Sequence, residues 1–518
     1  MSVTFYHPFV FILTFVSYAF FHASRKTFSN VKTTISDEWT PSFSNSTVNE
    51  TLPNQTWNKH KLFDNGKDAE LFLGVLDATF LTSYAVGLYI SGMVGDRFDM
   101  RKILCFGMCS TAVIVFIFGC VLEWVEFYNK YVYVLLWIIN GLLQSTGWPT
   151  VVAVMGYWFG KSSRGLVLGL WSACASVGNI IGSLMVSSVL DYGFDYAFLL
   201  TCSVLFGGGI VIFFGLVSTP SEVGLRYNRE GKLVKSTIIV NETISSNDRS
   251  VETDEISAPL IEEEELNKEE EEIVIQIEPR ALSLCQALLL PGVILYSLAY
   301  AFLKLVNYSF FFWLPYYLSN AHHMAESQSD AISIWYDVGG IIGGTIAGFI
   351  SDLTGRRAVV VIPMLILSVP ALFIYGNFTG GYTINAVLMA VTGFFVGGVA
   401  NLISAAISAD LGQQGPIKDN SKALATVTGI VDGTGSAGAA IGQILVPVIQ
   451  KSQGWKSVFV LFMIAIALTA LCVLPIFINE VKDIYSKYRY SWFTGLKIET
   501  FADRRNIEDD STTNRHIE

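Results

Sequence analysis

The chain has 518 residues, 52% of them hydrophobic and only 15% charged, with a mean hydropathy of +0.48. Soluble chains carry about 25% charged residues, so the composition excludes an ordinary soluble domain and describes a polytopic membrane protein. The net charge of −11 owes eight negatives to Glu262–Glu265 and Glu269–Glu272; the remainder is near balance, so the acidic total says little about the ligand, and no nucleic-acid partner is expected.

A spanning helix needs about 20 apolar residues. Twelve segments qualify, near 8–28, 70–93, 102–122, 131–158, 164–187, 195–217, 286–318, 327–350, 357–376, 382–410, 422–447 and 454–478. The predicted fold is all-α: twelve transmembrane helices in two six-helix lobes, 1–217 and 286–478. The first helix is expected to stay in the chain, because its first ten residues hold no Lys or Arg and no small-residue cleavage site follows. The 29–69 connection carries glycosylation sequons at Asn45, Asn49 and Asn54, which suits a lumenal loop. Residues 218–285 are polar, hold the Glu block and show no apolar period, so they read as a disordered cytosolic linker. Residues 479–518 form a cytosolic tail. The seven cysteines lie in or beside apolar runs without a disulfide or zinc pattern, so no metal site is expected.

The two halves repeat. Gly92, Asp96 and Arg101 at the second segment recur at a constant offset as Gly348, Asp352 and Arg357 at the eighth, with Arg97 and Arg356 as further basic residues of the two loops. At the same offset Ser83, Gly87, Ser91 and Gly95 face Gly339, Gly343, Ala347 and Ser351, a small residue at every fourth position on each helix. Such stripes let helix backbones approach closely. A duplicated six-helix unit points to a transporter with its site between the lobes. Orientation follows from charge. The even-numbered short connections hold Arg97, Arg101, Lys102, Lys161, Arg164, Arg356, Arg357, Lys418 and Lys422, against Lys130, Lys451 and Lys456 on the other side. This asymmetry places both termini in the cytosol.

Three cations stand out against this apolar background: Arg25 and Lys26 after the run 9–21, and Lys304 within 295–318. A charged side chain at mid-bilayer costs roughly 2.5–3.5 kcal/mol, so it is rare there and usually functional. A positive site inside a membrane suits an anion. Arg supplies a planar fork for phosphate and Lys a point charge. Lys304 has no carboxylate within a turn; Asp77, Asp337 and Asp432 are each candidates to pair with it across helices, or to serve as a proton site. Arg25 could also snorkel from a helix end, and His22 could be a buried structural residue. No nucleophile–base pair, phosphate-cradling Gly loop or metal set is present, so neither an enzyme nor a cofactor is expected.

The paired Gly-x-x-x-Asp loops resemble those of the major facilitator superfamily. Ser24-Arg25-Lys26-Thr27-Phe28, Gly147-Trp148-Pro149 and Asp337-Val-Gly-Gly-Ile-Ile-Gly-Gly344 together look like the organophosphate:phosphate antiporters, and most of all the eukaryotic sugar-phosphate exchangers (solute carrier family 37). This resemblance implies an antiporter exchanging a sugar phosphate, glucose 6-phosphate favoured, for inorganic phosphate across the endoplasmic reticulum membrane. It also implies a binding set. Arg25 matches the first-helix Arg of such antiporters, Tyr18 a site-facing Tyr, and Gln144 a matched polar position. His22 replaces a second Tyr, and Ala175 replaces a fifth-helix His. Asn307 takes the seventh helix's usual basic position, with Lys304 a turn away and Tyr308 adjacent; Lys26 is the remaining cation. In this reading Arg25 and Lys304 clamp a phosphoryl group between lobes, and with the cavity empty their like charges oppose closure. A proton-coupled organic-anion carrier using His22 or Asp337, and a non-transporting sensor signalling through the linker, are the alternatives.

Overall fold

A computed structural model describes residues 4–40, 62–63, 66–159, 164–227, 233–235, 282–322, 326–378, 380–413 and 423–494. Asn45, Asn49, Asn54 and the Glu block lie outside the described residues. Twelve helical units cross the molecule. In the first half they are α1 Tyr6–Asn30, α2 Gly66–Gly95, α3 Met100–Phe116, α4 Lys130–Gln144 with Gly147–Trp158, α5 Arg164–Trp171 with Cys174–Val189, and α6 Phe194–Gly215. In the second half they are α7 Val293–His322, α8 Glu326–Thr354, α9 Ala358–Asn377, α10 Tyr382–Asn401, α11 Leu424–Gln453 and α12 Trp455–Thr494. Among the described residues the one departure from helix is a small antiparallel pair, β1 Leu225–Tyr227 with β2 Leu233–Lys235, at the start of the linker.

Ten of these units are each long and apolar enough to cross a membrane. The other two are instructive. α4 is broken at Ser145 and Thr146, so neither piece is long enough alone. α11 is long but carries Thr426, Thr428, Asp432 and Ser436, all buried in the bundle rather than turned to lipid. Helix ends also differ from expectation. α1 runs past Arg25 to Asn30, and after Val31 a further helix covers Lys32–Trp39, so the 29–69 connection begins as helix and Arg25 is not terminal. The predicted 286–318 segment is two pieces, Leu284–Leu288 and α7, separated at Pro291-Gly292, where Gly292 adopts φ +85. That backbone region costs Gly little and other residues more. α12 continues well beyond 478, so the tail starts helical.

Helices α1 to α6 pack on one another, as do α7 to α12, and the halves meet chiefly where α2 lies against α11 and α5 against α8. The small-residue stripes pack mostly within their own lobes, Gly87 against Ser145 at the α4 break and Gly339 and Gly343 against α10, whereas the glycines of the repeated loops make the crossings between halves. The Cα of Gly92 lies where an added Cβ would stand 2.7 Å from the Ala425 carbonyl, and a Cβ on Gly348 would collide with the Gly165 carbonyl. Without water to drive apolar association in lipid, such close backbone packing supplies much of the attraction between helices.

Candidate transport site

The face that carries the repeated Asp loops is held shut by two matching caps. Asp96, after α2, accepts from the backbone N–H groups of Ala425 (3.0 Å) and Thr426 (2.8 Å), which open α11. Asp352, in the last turn of α8, accepts from Gly165 (2.9 Å) and Leu166 (2.7 Å), which open α5. Each carboxylate thus satisfies free N–H groups at a helix N-terminus of the opposite lobe, where the helix dipole favours negative charge. Burial pushes the Asp96 carboxyl above its usual pKa, with the hydrogen bonds from Thr426 and Ala425 acting the other way.

The basic partners of the two loops are not equivalent. Arg357 reaches Asp352 at 3.0 Å and Asp410 at 2.9 Å, and also bonds Ser351. Burial opposes its charge, but the two carboxylates outweigh that and hold the guanidinium above its ordinary pKa. Arg356 pairs with Asp483 of α12 at 3.1 Å. Among the described residues of the first lobe Arg101 meets Asp99, at 3.6 Å, and Arg97 is exposed beside Asp96. The basic residues of the second loop thus tie it to other helices, whereas Arg101 meets a residue of its own loop.

Removing both caps should open this face. A cap contributes about 1 kcal/mol relative to alanine, so Asp96→Ala with Asp352→Ala shifts the lobe equilibrium by roughly tenfold or more. A Ser404→Cys reporter in the wall of the cavity behind the caps, in a background lacking the native cysteines, should then react about tenfold faster with a membrane-impermeant thiol reagent applied from that face. An unchanged rate would show that the caps do not hold the lobes.

Behind the caps lies a central cavity of about 100 Å³ between the lobes. Tyr18, His22, Arg25, Lys26, Lys304, Asn307 and Tyr308 all line it, so the structure brings together seven of the eight residues singled out as a binding set. Gln144 stands behind them: its Oε1 accepts from Arg25 Nε at 2.5 Å, and its own amide donates to Asn140 at 3.0 Å. The Arg25 guanidinium lies over the Tyr84 ring, 4.3 Å from its centroid, and 5.6 Å from that of Phe80. Its Nη1 and Nη2 are buried and make no hydrogen bond of ordinary geometry. Two N–H-bearing nitrogens of a planar fork are thus desolvated with only the Tyr84 side chain interacting beside them, which is costly unless a ligand supplies better acceptors.

Lys304 is situated differently. It is 2% exposed; its Nζ donates to Asp432 at 2.7 Å and to Ser436 at 2.8 Å, both on α11. Of the three carboxylates considered as partners, Asp432 is the one it meets. Asp77 pairs with Lys32 instead, and Asp337 accepts from Asn179 at 3.3 Å. The like-charge opposition between Arg25 and Lys304 is therefore weaker than expected, because Asp432 already offsets one member. An ammonium has three donors, and the rings of Tyr308 (5.0 Å), Tyr300 (5.3 Å) and Tyr84 (5.8 Å) surround Lys304 on its other sides. Tyr84 thus sits between the Arg25 and Lys304 charges.

The remaining residues fall into place around this pair. Tyr18 packs on Trp148 at 4.7 Å and His22 at 5.1 Å. Trp148 stacks on Trp171 at 5.4 Å, just after the α4 break, so it both packs and lines the cavity. His22 Nδ1 lies 3.1 Å from Asn179 Oδ1. Asn307 accepts from the Tyr336 hydroxyl at 2.6 Å. Lys26 lies over Phe311 at 4.8 Å. Reading the residues one by one did not single out Tyr84, Tyr300, Asn179, Tyr336 or Ser436. Their signal is polarity on apolar helices, which is shared with many packing residues. A larger hollow of about 630 Å³ lies between α8 and α10, but its walls (Trp335, Ile342, Tyr382, Val387, Phe394) are uncharged and it offers an anion nothing.

Residues 14–415 and 296–489 match the Major Facilitator Superfamily. Sugar phosphate exchanger 3 of Xenopus laevis is 54% identical over 493 residues, covering 94% of this chain and 95% of that protein. The chain belongs to the major facilitator superfamily, within its sugar phosphate exchanger family. A second member, glucose-6-phosphate exchanger SLC37A2 of Xenopus tropicalis, is 37% identical over 491 residues, covering 94% and 95%. Identity over the full length is thus higher to sugar phosphate exchanger 3 than to SLC37A2. The crystal structure of the human organic anion transporter MFSD10 superposes with a TM-score of 0.58 at 11% identity, covering 91% of this chain and 99% of that one. That likeness speaks to the fold alone.

Proposed function

We propose that this exchanger carries a sugar phosphate, glucose 6-phosphate favoured, against inorganic phosphate by alternating access. The observation that carries the reading is the Arg25 guanidinium: buried, facing the cavity between the lobes, with Nη1 and Nη2 making no hydrogen bond of ordinary geometry. A phosphoryl group supplies two acceptor oxygens in the matching fork geometry. Lys304 completes the clamp from the other lobe with its remaining donor, or by exchanging Asp432 for the phosphate. The names of the two relatives support a sugar phosphate as the cargo.

Exchange rather than leak follows from the charge balance. An empty site leaves Arg25 desolvated and unneutralised when the lobes close, whereas a bound phosphate offsets it. Loaded carriers therefore cross more readily than empty ones. The test is counterflow of labelled phosphate in proteoliposomes, with glucose 6-phosphate as competitor. Robust counterflow inhibited by glucose 6-phosphate is expected; its absence would sink the reading.

We further propose that the chain lies in the endoplasmic reticulum membrane, as its family resemblance implies, with both termini cytosolic on the charge asymmetry of its short loops. The 29–69 connection is then lumenal and Asn45, Asn49 and Asn54 are glycosylated. Digestion with an amidase that removes N-glycans should increase the gel mobility of the wild type, and Asn45→Gln, Asn49→Gln and Asn54→Gln combined should abolish that shift. A wild type of unchanged mobility would refute the lumenal placement.

A further inference from the structure

One carboxylate lining the cavity has no part in the phosphate clamp. Lys304 has Asp432, and Lys32 has Asp77. Asp337 of α8 instead reaches across the interlobe gap to Asn179 of α5, whose amide donates to it at 3.3 Å. Ser176, one turn before Asn179, also bonds this carboxylate, and the Lys26 charge acts on it. The other end of the Asn179 amide meets His22 at 3.1 Å. On the neighbouring residue, the Tyr336 hydroxyl donates to Asn307 at 2.6 Å. These groups come from α1, α5, α7 and α8. The partners of Arg25, by contrast, are Gln144 on α4 with Tyr84 and Phe80 on α2. The cavity thus has two polar ends that share α1 and α7 and otherwise draw on different helices: α2, α4 and α11 beside Arg25 and Lys304, and α5 and α8 around Asp337.

An anion site that keeps a carboxylate in its wall works against itself unless that carboxylate reads another part of the ligand. An ionised carboxylate only accepts hydrogen bonds, whereas a side-chain amide both donates and accepts. A hydroxyl also does both. It can enter the Asn179–Asp337 contact, donating to Asp337 while accepting from Asn179, and so replace one long bond with two. A second phosphate or a carboxylate entering there brings no donor and faces Asp337 at close range, a repulsion that a low-dielectric wall strengthens. We propose that Asp337 and Asn179 form the hydroxyl-reading end of the site, selecting a polyhydroxylated phosphomonoester over one that bears a second anionic group at its far end. This rests on the phosphate-clamp reading above, and it divides the ligand: phosphoryl at Arg25, hydroxyls at Asp337.

The test measures how well unlabelled phosphate, glucose 6-phosphate and 3-phosphoglycerate compete in labelled-phosphate counterflow. The wild type is expected to favour glucose 6-phosphate over 3-phosphoglycerate. Asp337→Asn keeps the size and removes the charge; it should lower that preference by about tenfold, since a hydrogen bond to a charged group is worth about that factor or more. Asn179→Ala should lower affinity for glucose 6-phosphate relative to phosphate, and this ratio decides the matter if the Asp337 variant does not fold. Unchanged ratios, a wild type without the preference, or an Asp337→Asn phenotype confined to uptake driven by a pH gradient would each overturn the proposal. A wild type without phosphate counterflow would overturn the clamp instead.

Discussion

Replacing Arg25 with alanine is expected to cut phosphate counterflow at least a hundredfold. The side chain offers the cavity two buried nitrogens that make no hydrogen bond of ordinary geometry. Each hydrogen bond from a charged donor contributes about 1.5–3 kcal/mol, and every 1.4 kcal/mol or so is a factor of ten in affinity. A bidentate contact therefore corresponds to roughly two to four decades. Arg25→Lys keeps the charge and loses the fork, so it should recover only part of the rate, with a weaker half-saturation for phosphate. Thermal stability should change little in Arg25→Ala: loss of the Gln144 hydrogen bond and of the contact with Tyr84 offsets removal of a desolvated charge. If Arg25→Ala exchanged phosphate at the wild-type rate, the site would lie elsewhere.

Lys304 should behave in the opposite way in a stability assay. Removing one member of a buried ion pair leaves the other uncompensated, at a cost of about 3–5 kcal/mol. Lys304→Ala strands Asp432, which is 3% exposed, and Ser436 behind it. The variant should melt several degrees lower in detergent and show no exchange. Adding Asp432→Asn should restore the melting temperature, because the stranded charge is gone, while exchange stays absent. Recovery of both would mean that the pair is structural and that phosphate never contacts Lys304. Failure to recover stability would mean that Lys304 is held by its tyrosine neighbours rather than by Asp432.

Much of this was legible in the residues, and the reason differs from case to case. Arg25 and Lys304 stand out because bilayer burial of charge is so unfavourable that position alone marks them. The Asp96 and Asp352 loops were visible as a repeat, since a Gly-x-x-x-Asp pattern at matching places in two halves is a one-dimensional signal. Their partners were not. Each aspartate caps a helix that lies far along the chain in the other lobe, through backbone N–H groups that every non-proline residue possesses. Nothing in the identity of Gly165 or Ala425 announces that role.

The choice among Asp77, Asp337 and Asp432 was equally closed to sequence reasoning. All three sit on apolar helices with similar neighbours. Which one meets Lys304 depends on α11 crossing α7 at the right depth, with Asp432 and Ser436 a turn apart on the facing side. The two carboxylates left over then acquire different meanings. Asp77 holds Lys32 within one lobe; Asp337 faces Asn179 across the gap.

The sequence by itself determined the class, the twofold organisation and the cations, because hydropathy, repetition and intramembrane charge are properties read residue by residue along the chain. Only the tertiary structure decided which charge is offset and which is open. It showed that Lys304 is already neutralised and that Arg25 is the unsatisfied group. Pair identity is set by distances between helices remote in sequence, and a buried charge interacts strongly only with the few groups packing puts within reach.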